Sequence, residues 1–207
     1  MKRLIAVFVI LALPVTAAVA QESEEEACTA GELNLAAAST SSSTSASVQT
    51  GAVSVTNATP AVAVEPATEA EATVQGIIEN DGVHVVHFWA PWCPNAKNEL
   101  EAGWSGLIQD NPDVTFTFVS IWNDGAAGHD VLAEHDIPER VTTLQQPDLG
   151  PSDNDANRRM SFLGIPVTWT PSTWVFHENG ELAFAMNYGE MKMGTIQSLI
   201  NATQKEW

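Results

Sequence analysis

The sequence predicts an α/β fold with a central mixed sheet and helices on both faces. The apolar run Val83–Trp89 predicts a buried strand, and helical spacing begins after Pro94. The alternating pattern of Val114–Trp122 predicts a second strand, and the order strand, helix, strand implies a parallel crossover. Asn179-Gly180 is a hairpin signal, which adds antiparallel strands to the same sheet.

Residues 1–20 have the pattern of a signal peptide. Lys2 and Arg3 precede the apolar run Leu4–Val15, and Ala18-Val19-Ala20 supplies the small residues of a cleavage site. The run is short for a membrane span and Pro14 interrupts it. We therefore expect cleavage, export to the periplasm or the exterior, and no stable membrane insertion afterwards.

Residues 21–72 are predicted to form a disordered, acidic tether. They are rich in Ser, Thr and Ala and contain no Lys, Arg or aromatic residue. Such a segment cannot bury enough apolar surface to offset the entropy of ordering it. An extra edge strand at Ala52–Val64 is the alternative, which Pro60 disfavours. The folded domain is expected to span residues 73–207.

The chain is strongly acidic, with 26 Asp and Glu against 8 Lys and Arg and a formal net charge of −18. This balance argues against nucleic acid and anionic membrane surfaces as partners.

The remaining elements of the domain follow from apolar spacing and turn residues. A short helix precedes the first strand, and a cap at Ser152 or Asp153 predicts a helix that runs through Phe162. The other predicted elements are helices at Asn95–Ile108, His129–His135 and Met191–Gln204, and strands at Val141–Leu144, Ser172–His177 and Glu181–Asn187.

Cys93 is the candidate nucleophile. It stands directly before Pro94, which suits the first position of a helix because proline has no N–H to leave unpaired. Unpaired backbone N–H groups and the positive end of the helix dipole would there favour thiolate over thiol. The alternative is a buried cysteine kept for packing. Export would place both cysteines of the chain in an oxidising compartment.

The segment Phe88-Trp89-Ala90-Pro91-Trp92-Cys93-Pro94 resembles the active-site strand and turn of thioredoxin-like proteins, especially exported thiol-disulfide oxidoreductases of the TlpA/ResA type. The resemblance covers nearly all of residues 73–207 in element order and implies a thioredoxin-like fold. It implies protein or peptide thiols and disulfides as partners, and no cofactor or metal. The departure is Ala96, which stands where the family has its second cysteine.

The resemblance also implies a substrate groove. Thr170-Pro171 matches the family's cis-proline position, with Pro166 as a competing candidate. A cis bond there would turn the preceding backbone towards the sulfur, where an extended peptide can pair with it. Trp92 and Pro94 complete the predicted substrate-binding set, and Trp169 is expected to border the groove.

Ala96 leaves three outcomes open for a mixed disulfide formed at Cys93. An external thiol such as glutathione could release it, which would make the protein a single-cysteine oxidoreductase. Cys28 could release it from the tether. Alternatively, the domain is a redox-inactive binding module that holds an extended peptide in the same groove. The first is our leading hypothesis.

His87 stands where thioredoxins usually hold a buried acid, so the resemblance suggests that it modulates the ionisation of Cys93. A core histidine with no role in the chemistry is an equal alternative. His84 and His87 differ in parity along the strand and face opposite sides, so they cannot form a metal-binding pair.

Overall fold

The structure, a computed structural model, describes residues 64–187 and 189–205. The signal peptide, nearly all of the tether and Cys28 lie outside the described residues, so the predictions made for them stay predictions. The helices are α1 Glu69–Ile78, α2 Pro94–Glu101, α3 Trp104–Asp110, α4 His129–Glu134 and α5 Met193–Thr203. The strands are β1 His84–Trp89, β2 Thr115–Ser120, β3 Thr142–Gln145, β4 Ser161–Phe162, β5 Ile165–Pro166, β6 Ser172–Phe176 and β7 Leu182–Met186.

A five-stranded mixed sheet in the order β3-β2-β1-β6-β7 organises the domain. β1 runs parallel to β2 and antiparallel to β6, and all six of its residues are buried. This confirms the predicted α/β fold with a mixed sheet. Because helices α2, α3 and α5 cover one face and α1 covers the other, a central strand has no solvent-facing side, as its nearly continuous apolar sequence requires.

Each face of the sheet carries its own apolar core. One core holds Trp104 and Ile196 together with Cys93, and the other holds Trp174 and Phe162 together with α1. Trp89, Trp104 and Trp174 are fully buried. None of the helices in the described part of the chain is long and apolar enough to cross a membrane.

The first helix begins at Glu69, ahead of the expected domain start at Thr73. Thr68 caps it, since its hydroxyl accepts a hydrogen bond from the Glu71 N–H at 3.2 Å. The Thr68 hydroxyl also donates to Gln146 Oε1 at 2.7 Å, which fixes this end of the helix to the domain. Residues 68–72 therefore belong to the folded domain, and the composition of residues 21–72 concealed this because it averages over the whole stretch.

The predicted single helix Asn95–Ile108 is wrong, because α2 and α3 are separate helices. Gly103 lies between them with φ +123°, a conformation open to glycine and strained for other residues. The apolar spacing continues across the break, so periodicity alone could not reveal it.

The predicted helix from Ser152 to Phe162 is also wrong. Only a single 3-10 turn, Asp155–Asn157, forms there, and Phe162 belongs to the β4–β5 hairpin. Leu163 and Gly164 make the turn of that hairpin with φ of +47° and +74°. Instead of capping a helix, Ser152 donates its hydroxyl to Asp148 at 2.5 Å and its backbone N–H to Asp124 at 2.7 Å.

Candidate functional site

Cys93 lies at the end of β1, as the N-cap of α2, with Pro94 at the first helical position. Its sulfur is 3.3 Å from the carbonyl oxygen of Thr170, and the Thr170–Pro171 peptide bond is cis. The register explains this approach: Phe88 pairs with Ser172, so the loop before β6 reaches the turn after β1. The sequence predicted both partners of this contact.

Cys93 is fully buried and disulfide-bonded in the structure. The chain has two cysteines, and the other one, Cys28, lies outside the described residues. The role of Cys28 in releasing a mixed disulfide stays a prediction. In the reduced state, the Thr170 carbonyl is placed to accept a hydrogen bond from the Cys93 thiol.

Glu99 is the functional candidate that the sequence reasoning missed. Ala96, Glu99 and Leu100 are the buried residues of α2, so a carboxyl group lies on the inner face one turn after the position of the absent cysteine. Its Oε1 accepts a hydrogen bond from the Met191 N–H at 2.8 Å. The sequence signal that could have identified Glu99 is an acidic residue at the same helical spacing as the buried apolar residues of α2.

Glu99 and His87 form a buried pair. The distance from His87 Nε2 to Glu99 Oε2 is 3.4 Å, and both side chains are fully inaccessible to solvent. The two atoms are not aligned for a hydrogen bond. His87 Nδ1 is instead 3.0 Å from the Thr173 hydroxyl, and its ring packs against Trp104 with centroids 4.5 Å apart.

Burial keeps both members of this pair neutral over a wide pH range. Loss of solvation raises the pKa of Glu99 from 4.5 to about 7, against the opposing hydrogen bond from the Met191 N–H. The same loss of solvation lowers the pKa of His87 from 6.5 to about 3. A titratable acid is therefore present near the site, supplied by a helix rather than by the position in β1 where the resemblance places it.

Trp92 forms an exposed rim beside Cys93, with 43% of its surface accessible. Its indole N–H donates to the Trp122 carbonyl at 2.7 Å, and the Trp122 indole N–H donates to the Arg159 carbonyl at 3.0 Å. The Arg158 guanidinium carbon lies 5.4 Å from the Trp92 ring centroid and 5.5 Å from that of Trp122. Sequence reasoning missed Arg158 because the segment that carries it was predicted to be a helix.

The order β3-β2-β1-β6-β7 places a parallel β1–β2 pair, joined through the α2–α3 layer, beside the antiparallel strands β6 and β7. At the carboxyl end of β1, a cysteine caps a helix and faces the carbonyl before a cis-proline. The chain has a thioredoxin-like fold. The expectation drawn from the Trp-Cys-Pro segment is thereby confirmed for the fold.

Solved structures similar to this thioredoxin-like chain include three bacterial proteins. A secreted disulfide oxidoreductase of Mycobacterium tuberculosis, homologous to Escherichia coli DsbE, is 20% identical over 61% of this chain and 86% of its own, with a TM-score of 0.45. StoA of Bacillus subtilis is 19% identical over 59% and 85%, with a TM-score of 0.42. A DsbF homologue of Corynebacterium diphtheriae is 16% identical over 60% and 73%, with a TM-score of 0.46.

No protein-family model matches the chain. No curated protein matches it either.

The predicted substrate-binding residues surround Cys93 in the thioredoxin-like domain with different exposures. Pro94 is exposed, Thr170 and Pro171 are buried, and Trp169 is half-buried. The Thr170 hydroxyl is buried and makes no hydrogen bond within the described part of the chain. Within residues 64–187 and 189–205, no group of three or more His, Cys, Asp or Glu is arranged to hold a metal ion.

Proposed function

We propose that the protein is an exported thiol-disulfide oxidoreductase that works through the single cysteine Cys93. The observation that carries the proposal is the position of its sulfur, at the N-terminus of α2 and 3.3 Å from the Thr170 carbonyl oxygen. The first-turn N–H groups and the helix dipole favour the thiolate, which is the species that attacks disulfides. The backbone before Pro171 offers an edge along which an extended peptide can pair.

The reaction has two balanced exchange steps. The Cys93 thiolate attacks one sulfur of a substrate disulfide, forming a mixed disulfide and releasing the other half as a thiolate. A thiolate from outside the domain then attacks the substrate sulfur, so that Cys93 leaves as a thiolate and the substrate forms a disulfide with the incoming thiol. Because Ala96 leaves α2 without a second cysteine, the releasing thiol has to come from outside this helix. Glutathione and other small or protein thiols are suitable partners for this step.

Glu99 contributes a proton acceptor or donor on the inner face of α2. With a pKa raised to about 7 it exchanges a proton near neutral pH, whereas His87, with a pKa lowered to about 3, stays neutral. Glu99 thus supports the proposed chemistry by taking up or giving up a proton. His87 lies against its carboxyl group, with 3.4 Å between Nε2 and Oε2, and does not act as a base.

Trapping a mixed disulfide tests this function. Cys28→Ser leaves Cys93 as the one cysteine of the sequence, and this variant is reduced and then mixed with a neutral peptide disulfide. We expect a mass increase equal to one peptide half on Cys93, removed by added glutathione and absent from the Cys93→Ala variant. No adduct, with Cys93 still alkylated in the unfolded protein, would reject the proposal.

Ala96→Cys gives a second readout of the same site. This substitution places a second thiol on the buried face of α2, so the reduced variant is expected to reduce one insulin-type disulfide and to end as an internal disulfide. Added dithiothreitol re-reduces that disulfide for each further turnover. Mass analysis of the oxidised variant should show an internal disulfide that joins Cys93 to the introduced thiol. If a folded variant did not form this disulfide, the two positions would not be in exchange geometry.

A redox-inactive peptide-binding module is the second candidate. The observation in its favour is the complete burial of Cys93, which restricts access to the sulfur. In that function, Cys93→Ala would bind an extended peptide as tightly as the natural protein does, and the reduced protein would form no adduct. Binding and trapping with the same peptide therefore separate the two functions.

A further inference from the structure

Residues 148–158 form the side of the site next to Trp92, and hydrogen bonds hold this segment in place. Ser152 donates its hydroxyl to Asp148 and its backbone N–H to Asp124. Hydrogen bonding to Ser152, its backbone N–H first, holds the pKa of the Asp124 carboxyl below its ordinary value. Arg158 donates its Nε–H to the Ser152 carbonyl at 3.2 Å. The segment is thereby fastened to the loop after β2, and Arg158 is delivered to the exposed ring beside Cys93.

Arg158 has donor capacity left for a ligand. One terminal nitrogen forms an ion pair with Asp155 at 2.8 Å, and the other makes no hydrogen bond within the described residues. Its side chain retains 15% of its accessibility, and that of Asp155 retains 57%. The guanidinium stacks on Trp92 and Trp122, so little further ordering is needed when it binds a planar anion.

The Arg158 guanidinium is a positive group in a strongly acidic chain. The protein carries a net charge of −18 and has only eight basic residues, so an anionic peptide is repelled at long range. Arg158 places a positive group at the exposed Trp92 ring, and Trp92 directly precedes Cys93 in the chain. A substrate carboxylate that lies at the Trp92 rim is therefore attracted locally.

We propose that Arg158 is a specificity residue, and that the site prefers disulfides whose reacting cysteine is flanked by an acidic residue. This inference rests on the proposed exchange function and adds the chemical class of its substrate. The carboxylate is bound at the Trp92 rim through the remaining N–H groups of Arg158, while the rest of the peptide lies along the Thr170 backbone. A charge-assisted hydrogen bond from the remaining terminal nitrogen is stronger than a neutral one.

The test uses three peptides that differ only at the residue next to a cysteine activated as a mixed disulfide with thiopyridine. That residue is Asp, Asn or Lys. Reduced Cys28→Ser protein is mixed with each, and thiopyridone release gives a second-order rate constant. The Cys93 thiolate attacks the peptide sulfur and thiopyridone leaves. Each rate is divided by the rate of the same peptide with 2-mercaptoethanol, an uncharged reference thiol, which removes differences in intrinsic reactivity.

We expect the Asp peptide to react about three- to fivefold faster than the Asn peptide at low salt, and the Lys peptide to react slowest. Half-molar salt should abolish the difference because it screens partly exposed charges. Arg158→Gln should lose the preference. Arg159→Gln, with the same charge change in the adjacent residue, should keep it, because Arg159 donates its Nε–H to Pro147 and does not stack on Trp92.

Asp155→Asn separates recognition from a structural role. It frees the second terminal nitrogen of Arg158 and is expected to increase the preference for the Asp peptide, which the loss of a structural ion pair would not do. Equal rates for Asp and Asn, or equal losses in Arg158→Gln and Arg159→Gln, would overturn the inference while the neutral peptide still reacts. If no peptide reacts, the proposed function fails, and this inference fails with it.

Discussion

At the scale of single residues, Glu99 and His87 form a buried titratable pair on the inner side of α2. Neither side chain has contact with solvent, and Glu99 accepts a hydrogen bond from the Met191 N–H while its Oε2 lies 3.4 Å from His87 Nε2. Both groups prefer their neutral forms, since an isolated charge in this apolar setting is costly. Their proton affinities therefore link the site to the stability of the fold.

The sign of this linkage differs for the two residues. Between pH 4.5 and about 7, folded Glu99 keeps a proton that the unfolded chain has lost, so its contribution to the free energy of unfolding falls as the pH rises. Between about 3 and 6.5, the unfolded chain binds a proton at His87 that the folded chain does not. The contribution of His87 therefore rises with pH, and the two slopes nearly cancel between pH 4.5 and 6.5.

Glu99→Gln removes the contribution of Glu99 to the pH dependence of the free energy of unfolding. The free energy of unfolding of this variant, relative to the natural protein, should increase by about 2 to 3 kcal/mol between pH 4.5 and pH 7, because the cost of an ionised buried carboxyl disappears. Urea unfolding at several pH values measures it. Glu101→Gln, at an exposed position of the same helix, is the control and should show no such trend. If the free energy of unfolding changed with pH in the same way in Glu99→Gln and in the natural protein, this would contradict the raised pKa of Glu99.

The residues of the site differ in how far the sequence could reveal them. Cys93 and Pro171 lie in local patterns, a strand followed by Cys-Pro and a proline before a strand, so both could be found from neighbours in the chain. Glu99 and Arg158 could not be assigned in that way. Their roles depend on contacts with Met191 and Trp92, which are distant in sequence, and only the packed fold brings these together.

At the scale of secondary structure elements, the predictable features are those set by local backbone chemistry and strong periodicity. β1, β2 and the β6–β7 hairpin were predicted to within a few residues. The break after α2 and the hairpin within the predicted Ser152–Phe162 helix were not, because each depends on positive φ angles at Gly103 or at Leu163 and Gly164. Those conformations leave hydrophobic spacing unchanged.

Gly103 should be needed for the α2–α3 break. Gly103→Ala places a side chain at φ +123°, and a cost of about 1 to 2 kcal/mol in unfolding free energy is expected from backbone strain, since nothing crowds the added carbon closer than 3.9 Å. Gly106→Ala is the matched control. Gly106 is an exposed interior residue of α3 with nothing within 4 Å of an added Cβ, so this change should stabilise the protein by about 0.5 to 1 kcal/mol. Equal effects in urea unfolding would show that the break does not depend on the conformation of Gly103.

At the scale of the whole molecule, two features have opposite effects on the stability of the compact state. Apolar cores on both faces favour the compact state, and they hold four fully buried tryptophans, Trp89, Trp104, Trp122 and Trp174. A net charge of −18 disfavours it, because compaction brings like charges together. The composition revealed the charge, whereas the division of the core between two faces followed from the order of strands and helices.

Self-repulsion predicts a salt effect that depends on pH. At pH 7, raising sodium chloride from 0.05 to 0.5 M should increase the melting temperature by about 3 to 5 °C, equivalent to about 1 kcal/mol, because the added ions screen the excess negative charge. Near the sequence isoelectric point of about 4.3 the net charge is close to zero, and the same addition should have little effect. Thermal unfolding followed by circular dichroism at both pH values measures the difference. An equal increase at both would mean that salt acts through exclusion from the protein surface rather than through charge screening.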